Sequence, residues 1–423
     1  MATLKSIELS GWKSIKHTKV ELGPINVLIG ANGSGKSNFI SFFKLLNEII
    51  EGRLQEYVAT AGGANSILHY GAKTTPALDF RLVVSAESEL LEYKVRLADS
   101  PRDSVVFGEE QIRRVTEAEM SGSVHPSEFD AVLPIPGPQT PGPITPATTP
   151  PVSGTEVTPA PPGPITWTVS PLTPGVFWYF TRNIESVLKS RSEYPKIFGP
   201  EIGFIVELLR SCRPYHINDT SPTALIRRTG YIEDNRVLRS DAANLAAVLH
   251  RIRILTPRIY ERIVRTIRQI NPRFGDFVLE PQALNPNQIM LNWKEKGQDT
   301  LFGPHQLYDG TLRVMALVTL LLQTEAEFPA LLVIDEPELG LHPYAIGVIT
   351  SLLRGASHHC QVIISTQSTQ LLNEFDVGDV IVVNRPGEET TFSRLDEAQL
   401  AGWLEDYDLA ELWQKNVLGG GPH

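Results

Sequence analysis

The sequence has few cysteines, no long apolar run and no excess of positive charge, and each lack excludes a class of protein. Its 423 residues include only two cysteines, Cys212 and Cys360, so neither a disulfide framework nor a zinc-ligand cluster is expected. The longest apolar candidate, Val314 to Gln323, is much shorter than the roughly 18 residues that a membrane helix requires. The net charge of −10 argues against an overall basic nucleic-acid binder, although a local basic patch stays open.

We expect no export signal at the start of the sequence. It reads Met-Ala-Thr-Leu-Lys-Ser and continues into an alternating, strand-like pattern without the apolar segment of a signal peptide. With 42% hydrophobic residues, a chain of this length can bury one large core or a few smaller ones. We therefore expect a cytoplasmic protein with no membrane association.

A phosphate-binding loop is the most informative motif present. Residues Gly30 to Ser37 read G-A-N-G-S-G-K-S, a full match to G-x-x-x-x-G-K-[ST]. The loop follows an apolar run, Ile25 to Ile29, and precedes a helical pattern from Asn38 to Ile50. This strand–loop–helix context disfavours the alternative of a plain Gly/Ser-rich turn.

The chemistry of the loop predicts a nucleoside triphosphate with Mg²⁺. Glycines allow successive backbone amides to point at phosphate oxygens, and the helix start adds its positive end. We expect Lys36 to reach the β- and γ-phosphates and Ser37 to ligate Mg²⁺. The residues predicted to bind ATP in this segment are Gly30, Asn32, Gly33, Ser34, Gly35, Lys36, Ser37 and Asn38.

A second polar cluster follows buried strand patterns near the end of the chain. Leu331 to Ile334 is apolar and runs into Asp335 and Glu336, and a second apolar run is followed by Gln367. Because strand carboxyl ends of a parallel sheet converge on the ligand crevice, these residues should neighbour the phosphate loop. We expect Asp335 to support the metal and Glu336 to act as general base on the attacking water.

Two segments between these clusters have unusual composition. Leu133 to Ile165 holds 12 of the chain's 32 prolines and no lysine or arginine, which predicts a mobile, partly polyproline-II insert. The helical pattern from Asp241 to Ile270, with a break at Pro257, carries six arginines on and beside its polar face. The arginines are either a phosphate-contacting patch for DNA or RNA, or a solvated helix face whose arginines pair with nearby acids.

The motif order resembles that of a known family. Between the two clusters lies Leu307-Tyr308-Asp309-Gly310-Thr311-Leu312-Arg313, and the acids continue as I-D-E-P-E-L-G-L-H-P before S-T-Q-S. This series is similar to the ABC-type head ATPases of the RecF/SMC/OLD group, in particular to small stand-alone ATPases of the AAA_21 type. The resemblance extends over nearly the whole chain outside the Pro-rich insert.

The resemblance implies a composite site between two chains. Each phosphate loop would face the signature helix of the other protomer, with Asp309, Gly310 and Thr311 contacting the opposing nucleotide. Bound ATP would join the two copies and hydrolysis would release them. It also implies that Lys13 and Ser14 lie near the nucleotide base.

The sequence departs from the family pattern at three places. Tyr308 stands where the family signature usually has serine, and Gln367 stands where many ABC ATPases have histidine. Glutamine cannot accept a proton at neutral pH, so we expect slow hydrolysis, near or below the low end of roughly 1–10³ s⁻¹. The usual metal-contacting glutamine is not obvious, and His69 is a weak candidate beside the alternative of an ordinary core histidine.

The expected fold class is an α/β P-loop NTPase of the ABC-ATPase head type, with a β-rich lobe and a helical lobe inserted between phosphate loop and signature helix. The predicted ranges are 1–76 and 274–423 for the two parts of the head, 77–182 for the β-rich lobe with its insert, and 183–273 for the helical lobe. The strand patterns Asp79 to Val84 and Glu92 to Leu97 predict a hairpin, and a helical pattern runs from Phe177 to Ser211.

The predicted function is Mg²⁺-dependent ATP binding and slow hydrolysis that drives homodimerisation, in DNA repair or phage defence. DNA and a protein effector are the candidate partners. The alternative is a nucleotide-gated module with negligible turnover that controls a separate effector. A fused nuclease is disfavoured because the short tail has no evident acidic metal-binding constellation, and a coiled-coil arm is excluded because no sustained heptads occupy the middle. A transporter engine is possible in principle, but no transporter coupling features are found.

Overall fold

The fold is taken from a computed structural model of the chain. It describes residues 2–87, 89–100, 103–121, 167–168, 176–179 and 200–421. The Pro-rich insert predicted at Leu133 to Ile165 lies outside the described residues.

The strands, in chain order, are β1 (Thr3–Trp12), β2 (Ile15–Glu21), β3 (Ile25–Ile29), β4 (Ala77–Ala86), β5 (Glu89–Ser100), β6 (Ser104–Val115), β7 (Trp167–Thr168), β8 (Val176–Tyr179), β9 (Arg213–Tyr215), β10 (Gly230–Tyr231), β11 (Phe274–Val278), β12 (Gln288–Ile289), β13 (Asn292–Glu295), β14 (Leu301–Phe302), β15 (Leu331–Asp335), β16 (Gln361–Thr366), β17 (Val380–Asn384) and β18 (Thr391–Arg394).

The helices, in chain order, are α1 (Lys36–Glu51), α2 (Leu54–Thr60), α3 (Ala64–Ile67), α4 (Glu117–Ser121), α5 (Pro200–Ser211), α6 (Leu245–Leu255), α7 (Pro257–Ile270), α8 (Asp309–Leu321), α9 (Pro343–Ala356), α10 (Thr369–Leu372), α11 (Glu397–Leu404) and α12 (Leu409–Gln414). Short 3₁₀ turns occur at Leu225–Arg227, Pro304–Gln306, Glu325–Glu327 and Val377–Asp379.

A mostly parallel sheet lies at the centre of the head. Its strand order is β18-β17-β3-β16-β15-β9, and only the edge strand β18 pairs antiparallel. Along β3, Val27 and Ile29 belong to one hydrophobic core while Leu28 belongs to another. Alternate residues of a strand point to opposite faces, so both faces of this sheet are covered. This arrangement confirms the predicted α/β class.

An antiparallel sheet forms the second layer, in the order β2-β1-β4-β5-β6-β8-β7. The hairpin predicted between the strand patterns near Phe80 and Tyr93 is confirmed, with Ala86 opposite Glu89 at its end. The sheet joins strands from the first predicted range, β1 and β2, to strands of the predicted β-rich lobe. The predicted lobe boundaries themselves stay a prediction.

Helices α6 and α7 meet at the predicted break. Pro257 occupies the first position of α7 and Thr256 separates the two helices, because proline lacks the N–H that a helix interior needs but fits a helix start. One sequence prediction was wrong nearby. The helical pattern was expected to begin at Phe177, but Val176–Tyr179 form β8 and pair with β6, as aromatic and β-branched residues favour strands.

Within the part of the chain that the structure describes, every helix is too short or too polar to cross a membrane.

Candidate nucleotide site

The phosphate loop connects β3 to α1 with backbone angles that glycine tolerates. Gly33 and Gly35 have φ values of 80° and 111°, in the left-handed region that other residues seldom adopt. A Cβ on Gly35 would lie 2.3 Å from Thr390 Oγ1, so the loop is packed from below and allows no side chain there. Asn32, Gly33 and Ser37 are exposed, as a loop that binds a ligand from solvent requires.

A buried hydroxyl in this loop has no protein partner. The Ser34 Oγ atom is inaccessible to solvent and makes no hydrogen bond to the described residues. A Cβ on Gly30 would lie 2.7 Å from that oxygen, so the hydroxyl faces the interior of the loop. Leaving a buried polar group unpaired costs free energy, and a phosphate oxygen would satisfy it.

Lys36 links the loop to the acids of the second cluster. Its ammonium donates to the carbonyl oxygens of Gly30 at 2.6 Å and Ala31 at 3.1 Å, and its side chain is 5% exposed. Burial lowers the pKa of Lys36 below its usual value, while the charges of Glu336, Asp335 and Glu338, in that order, act to raise it. The cation of the loop therefore sits within the electric field of carboxylates that come some 300 residues later.

Strand register explains this proximity. In the parallel ladder, Leu28 on β3 and Asp335 on β15 both pair with Ser365 on β16. The loop after β3 and the acids after β15 thus leave the same edge of the sheet on either side of β16. Carboxyl ends of parallel strands form the ligand crevice of such sheets.

Asp335 is buried and held on both oxygens. Ser365 Oγ donates to Oδ1, and His216 Nδ1 lies 3.1 Å from Oδ2. Burial acts to raise the pKa of Asp335, but the hydrogen bonds from His216 and Ser365 outweigh it and leave that pKa below its usual value. The same bond raises the pKa of His216. Asp335 is therefore an anion at neutral pH, with fixed orientation.

Glu336 leaves the strand in an uncommon conformation. Its φ is 48°, a value that costs a non-glycine residue about 1 kcal/mol or more. Its amide donates to the Ser365 carbonyl at 3.0 Å, which ends the ladder, and the side chain is half-buried. Outliers of this kind occur at functional sites because the surrounding fold imposes them.

Glu338 and Gln367 form the far side of the cluster. Thr366 Oγ1 donates to Glu338 Oε1, while Glu338 Oε2 is buried and has no hydrogen-bond partner among the described residues. Burial raises the pKa of Glu338, and the neighbouring charge of Glu336 adds to this rise. Gln367, predicted as a catalytic residue, follows β16 directly and is half-buried.

The segment that resembles an ABC signature forms the start of α8. Tyr308 precedes the helix and is 86% exposed, and Asp309 is exposed beside it. A Cβ on Gly310 would lie 2.3 Å from the Gly340 carbonyl oxygen. Arg313 donates to the Leu339 carbonyl at 2.6 Å. The helix start is thus packed on the turn that follows Glu336 and Glu338 in the same chain.

A buried arginine fixes the signature segment from beneath. Arg227 is 4% exposed and donates to Asp309 Oδ1 at 2.7 Å, to the Leu307 carbonyl at 3.1 Å and to the Pro304 carbonyl. Its Nε donates to the Thr220 carbonyl at 2.8 Å. A guanidinium has five donors in a rigid fork, so one side chain orders the whole approach to α8.

Lys13 and Ser14 lie on the opposite flank of the loop. Lys13 has a φ of 47° and donates to Ser41 Oγ at 2.8 Å, and burial lowers the pKa of its ammonium group. Ser14 Oγ accepts from Asn38 Nδ2 at 2.7 Å and lies 2.8 Å from Thr390 Oγ1.

These residues border an open cleft of about 640 Å³, a size suited to a small ligand. Its lining comprises Lys13, Ser14, Asn38, Asn65, Ser66, Leu68, Tyr70, Gly71 and Arg385.

His69, the weak candidate for a metal contact, has another role. It is 5% exposed, and its Nδ1 lies 2.6 Å from the Lys13 carbonyl oxygen. It therefore supports the strained backbone at Lys13 as a buried histidine with a hydrogen-bond partner.

Three polar residues of this region were not predicted as site residues. His216 follows β9, whose Tyr215 pairs with Ile334, so a polar residue directly after a short strand was the available signal. Thr390 donates to the Ser34 carbonyl at 2.9 Å, and Arg227 orders the signature segment. Neither of these two has a sequence signal, because each acts through contacts with residues far away in the chain.

The donor set fits Mg²⁺ held together with a nucleotide. No cluster of three or more acidic, histidine or cysteine side chains able to hold a metal occurs within the described ranges. Magnesium usually takes one or two protein oxygens and completes its shell with water and phosphate. The exposed Ser37 hydroxyl and the ionised Asp335 carboxylate meet that requirement.

Comparison with known proteins gives one family and one fold. The family model described as "AAA domain, putative AbiEii toxin, Type IV TA system" matches residues 25–111 and 235–373, which is more than half of the chain. No curated protein matches the sequence.

Among solved structures, an SMC head bound to the C-winged helix domain of ScpA has a TM-score of 0.51 at 12% identity, over 95% of this chain and 99% of that one. The SMC head domain from Thermotoga maritima has a TM-score of 0.42 at 14% identity, with 93% and 99% covered. The Smc head with an extended coiled coil from Pyrococcus furiosus has 0.48 at 15%, with 96% and 99% covered.

Proposed function

We propose that this chain, which belongs to the AAA_21 family of AAA domains and has the fold of an SMC head domain, binds ATP with Mg²⁺, hydrolyses it slowly and dimerises around the nucleotide. The observation that carries the proposal is that the Lys36 loop and the Asp335–Glu336 pair leave the same edge of the parallel sheet, on either side of β16. Phosphoryl transfer requires a cation that contacts the phosphates. It also requires carboxylates that bind the metal and activate the attacking water.

The roles follow from the geometry of the loop and the acids. The amides from Gly30 to Ser37 and the Ser34 hydroxyl would donate to phosphate oxygens, and Lys36 would turn from the loop carbonyls to the β- and γ-phosphates. Ser37 and Asp335 would hold Mg²⁺, which supplies charge neutralisation and fixes the leaving phosphates when bound. Glu336, held beyond the sheet edge, would accept the proton of the attacking water.

Gln367 would orient that water from the other side. Its amide offers donors and an acceptor but does not ionise, so it would position water without taking a proton. Lys13, Ser14 and the cleft beside them would receive the base and sugar, with Asn38 joining the loop to this side.

The dimer is proposed from the exposure of the signature segment. Tyr308 is exposed to solvent, while Arg227 pairs with Asp309 and Arg313 bonds the Leu339 carbonyl, which fixes the segment. A rigid, exposed helix start suits contact with a phosphate on a second copy of the chain. Tyrosine is much bulkier than serine, which supports slow turnover.

The biological process is proposed at a coarser level. The family description names a toxin of a type IV toxin–antitoxin system, which supports a role in phage defence. DNA repair is the other process consistent with an ATPase of this type, and DNA or a protein effector is the proposed partner.

A second function rests on the same departures. Tyr308 in the signature and Gln367 at the switch position favour a nucleotide-gated module whose bound ATP licenses a separate effector with negligible turnover.

Turnover by the purified protein decides between these functions. We expect Mg²⁺-dependent phosphate release from ATP by the wild type and a loss of about 10²-fold or more in Glu336→Gln, because a general base contributes about 10²–10⁴-fold. ATP affinity should be retained in the variant. Glu388→Gln, at an exposed acid on another loop, is the matched control.

Equal phosphate release by wild type and Glu336→Gln would reject hydrolysis at this site. If that equal rate is negligible and ATP is bound, the gated module is the function.

A further inference from the structure

The arginines of α6 and α7 form a local concentration of positive charge in an acidic protein. Residues 251–268 contain six arginines, no lysine and one acid, Glu261, whereas the whole chain has a net charge of −10. A local excess of one charge sign is the electrostatic feature of a surface that attracts a partner of the opposite charge.

Three of these arginines share one face of α7. Tyr260, Ile263, Val264 and Ile267 are buried against the core, and Arg258, Arg262 and Arg265 are exposed on the opposite side. At 3.6 residues per turn and 1.5 Å per residue, the three fall within roughly 60° of the circumference and span about 10 Å along the axis. We call Arg258, Arg262 and Arg265 the arginine ridge.

Among the described residues, the side chains of the ridge arginines and of the exposed Arg253 of α6 make no ion pair or hydrogen bond, unlike those of the other two arginines of these helices. Arg251 pairs with Glu327 and Arg268 donates to the Gly275 carbonyl. In contrast, the ridge makes no ion pair or hydrogen bond with any residue in the described portions of the chain. Pairing with nearby acids, the ordinary explanation for arginines on a solvated helix, therefore does not account for them.

The chemistry of the ridge favours phosphates. Guanidinium groups bind phosphate through paired N–H donors and keep their charge at all physiological pH values. Three of them in a row match a repeated anion better than a single ion. The centre of a protein–protein interface is apolar and depleted of charged residues. Nucleic-acid interfaces are more polar and far more positive.

We infer that the arginine ridge binds the sugar–phosphate backbone of a nucleic acid. The binding surface stands without the proposed ATPase function, and only its control by nucleotide rests on that function.

The contacts that could couple the ridge to the nucleotide site are few and direct. Helix α7 packs against α8, which begins at the signature segment, and against α9, which follows the turn after Glu338. Gln269 Nε2 donates to the Tyr344 hydroxyl of α9 at 2.9 Å.

Fluorescence anisotropy with labelled oligonucleotides tests the inference. The probes are a duplex DNA and a duplex RNA of about 30 base pairs and a single-stranded DNA of the same sequence, titrated at several salt concentrations. The variant is Arg258→Gln/Arg262→Gln/Arg265→Gln, and the control, Arg53→Gln/Arg114→Gln/Lys415→Gln, removes the same charge from exposed positions on other elements. Glu261→Gln removes the one acid of residues 251–268.

We expect the wild type to bind at least one probe, and the ridge variant to bind it at least about tenfold more weakly. Its log–log salt slope on duplex DNA should be smaller by about 2.7, because each phosphate contact contributes about 0.9. Glu261→Gln should bind more tightly and the control should bind as the wild type does. Binding of DNA alone, RNA alone or single strands alone would name the partner.

Two results would overturn the inference. One is a wild type that binds none of the probes at about 50 mM salt, which would leave an acidic protein as the partner of the ridge. The other is a control variant that loses as much affinity as the ridge variant. ATP binding measured on the same samples separates this result from the ATPase proposal, since a protein that binds nucleic acid but no ATP fails only the latter.

Discussion

Single residues at the strand ends determine which charges the site can hold. Asp335 keeps a lowered pKa because His216 and Ser365 bond both of its oxygens, although burial acts in the opposite direction. The pKa of Glu338, three residues later, shifts the other way, because burial outweighs the hydrogen bonds that its carboxylate accepts. Two carboxyls in one buried cluster thus have pKa values shifted in opposite directions.

The raised pKa of Glu338 predicts how pH affects stability. A native pKa above the unfolded one means that the folded chain binds the proton more tightly, so this stabilisation is complete below the usual value of 4.5 and is lost as pH rises through the native pKa. Glu338→Gln stays neutral at every pH. The urea midpoint of the Glu338→Gln variant should therefore rise relative to that of the wild type between about pH 4 and pH 7.5.

Urea unfolding at both ends of that range, with Glu374→Gln at an exposed position as control, makes the measurement. A wild type that becomes more stable relative to Glu338→Gln as pH rises would contradict the assignment of a raised pKa.

Sequence alone identified the residues whose chemistry has a local pattern. The Gly30–Ser37 loop and the Asp335–Glu336 pair follow apolar strands in a recognisable way, so their elements were predictable. His216, Thr390 and Arg227 were not, since their roles depend on partners 119, 356 and 82 positions away. No pattern within a short window of sequence carries such information.

At the scale of elements, the start of α8 is the part most exposed to a second chain. Arg227 fixes the signature segment from the protein interior, and the Tyr308 side chain is exposed to solvent. Tyr308→Ser should leave the fold intact, because the side chain is 86% exposed and serine favours the position before a helix. It should also remove bulk from the proposed contact with the opposing γ-phosphate.

We therefore expect Tyr308→Ser to hydrolyse ATP faster by about tenfold, which corresponds to about 1.4 kcal/mol of barrier, and to form more of an ATP-dependent dimer. Phosphate release and light-scattering mass with and without ATP are the readouts. Tyr231→Ser, at another exposed tyrosine, is the control. A Tyr308→Ser rate at or below that of the wild type would reject a steric role for the tyrosine.

Helices and strands were predictable where the spacing of apolar residues fits only a helix or only a strand. The break at Pro257 and the antiparallel hairpin of β4 and β5 are examples. The segment Val176–Tyr179 was misassigned as helix, because four apolar residues fit either period and only the neighbouring strand β6 settles the choice. Tertiary pairing of this kind is not visible in a single sequence.

At the scale of the whole molecule, the site exists because the two ends of the chain share one sheet. Strand β3 comes from the start, β15 and β16 from the last third, and Ser365 is paired to both sides. The long segment between them contributes five of the seven strands of the antiparallel sheet, the arginine ridge and the approach to α8. A nucleotide bound at this sheet edge would contact residues from both ends of the chain at once.

Calorimetric ATP binding, with and without Mg²⁺, tests this central claim most directly. Lys36→Ala should lose ATP binding in both conditions, while Lys44→Ala, at an exposed lysine of the same helix, should bind normally. Asp335→Asn should bind ATP alone as the wild type does but lose at least about tenfold of the affinity gained with Mg²⁺. A folded Asp335→Asn protein with unchanged Mg²⁺-dependent affinity, or a folded Lys36→Ala protein with normal affinity, would contradict the account.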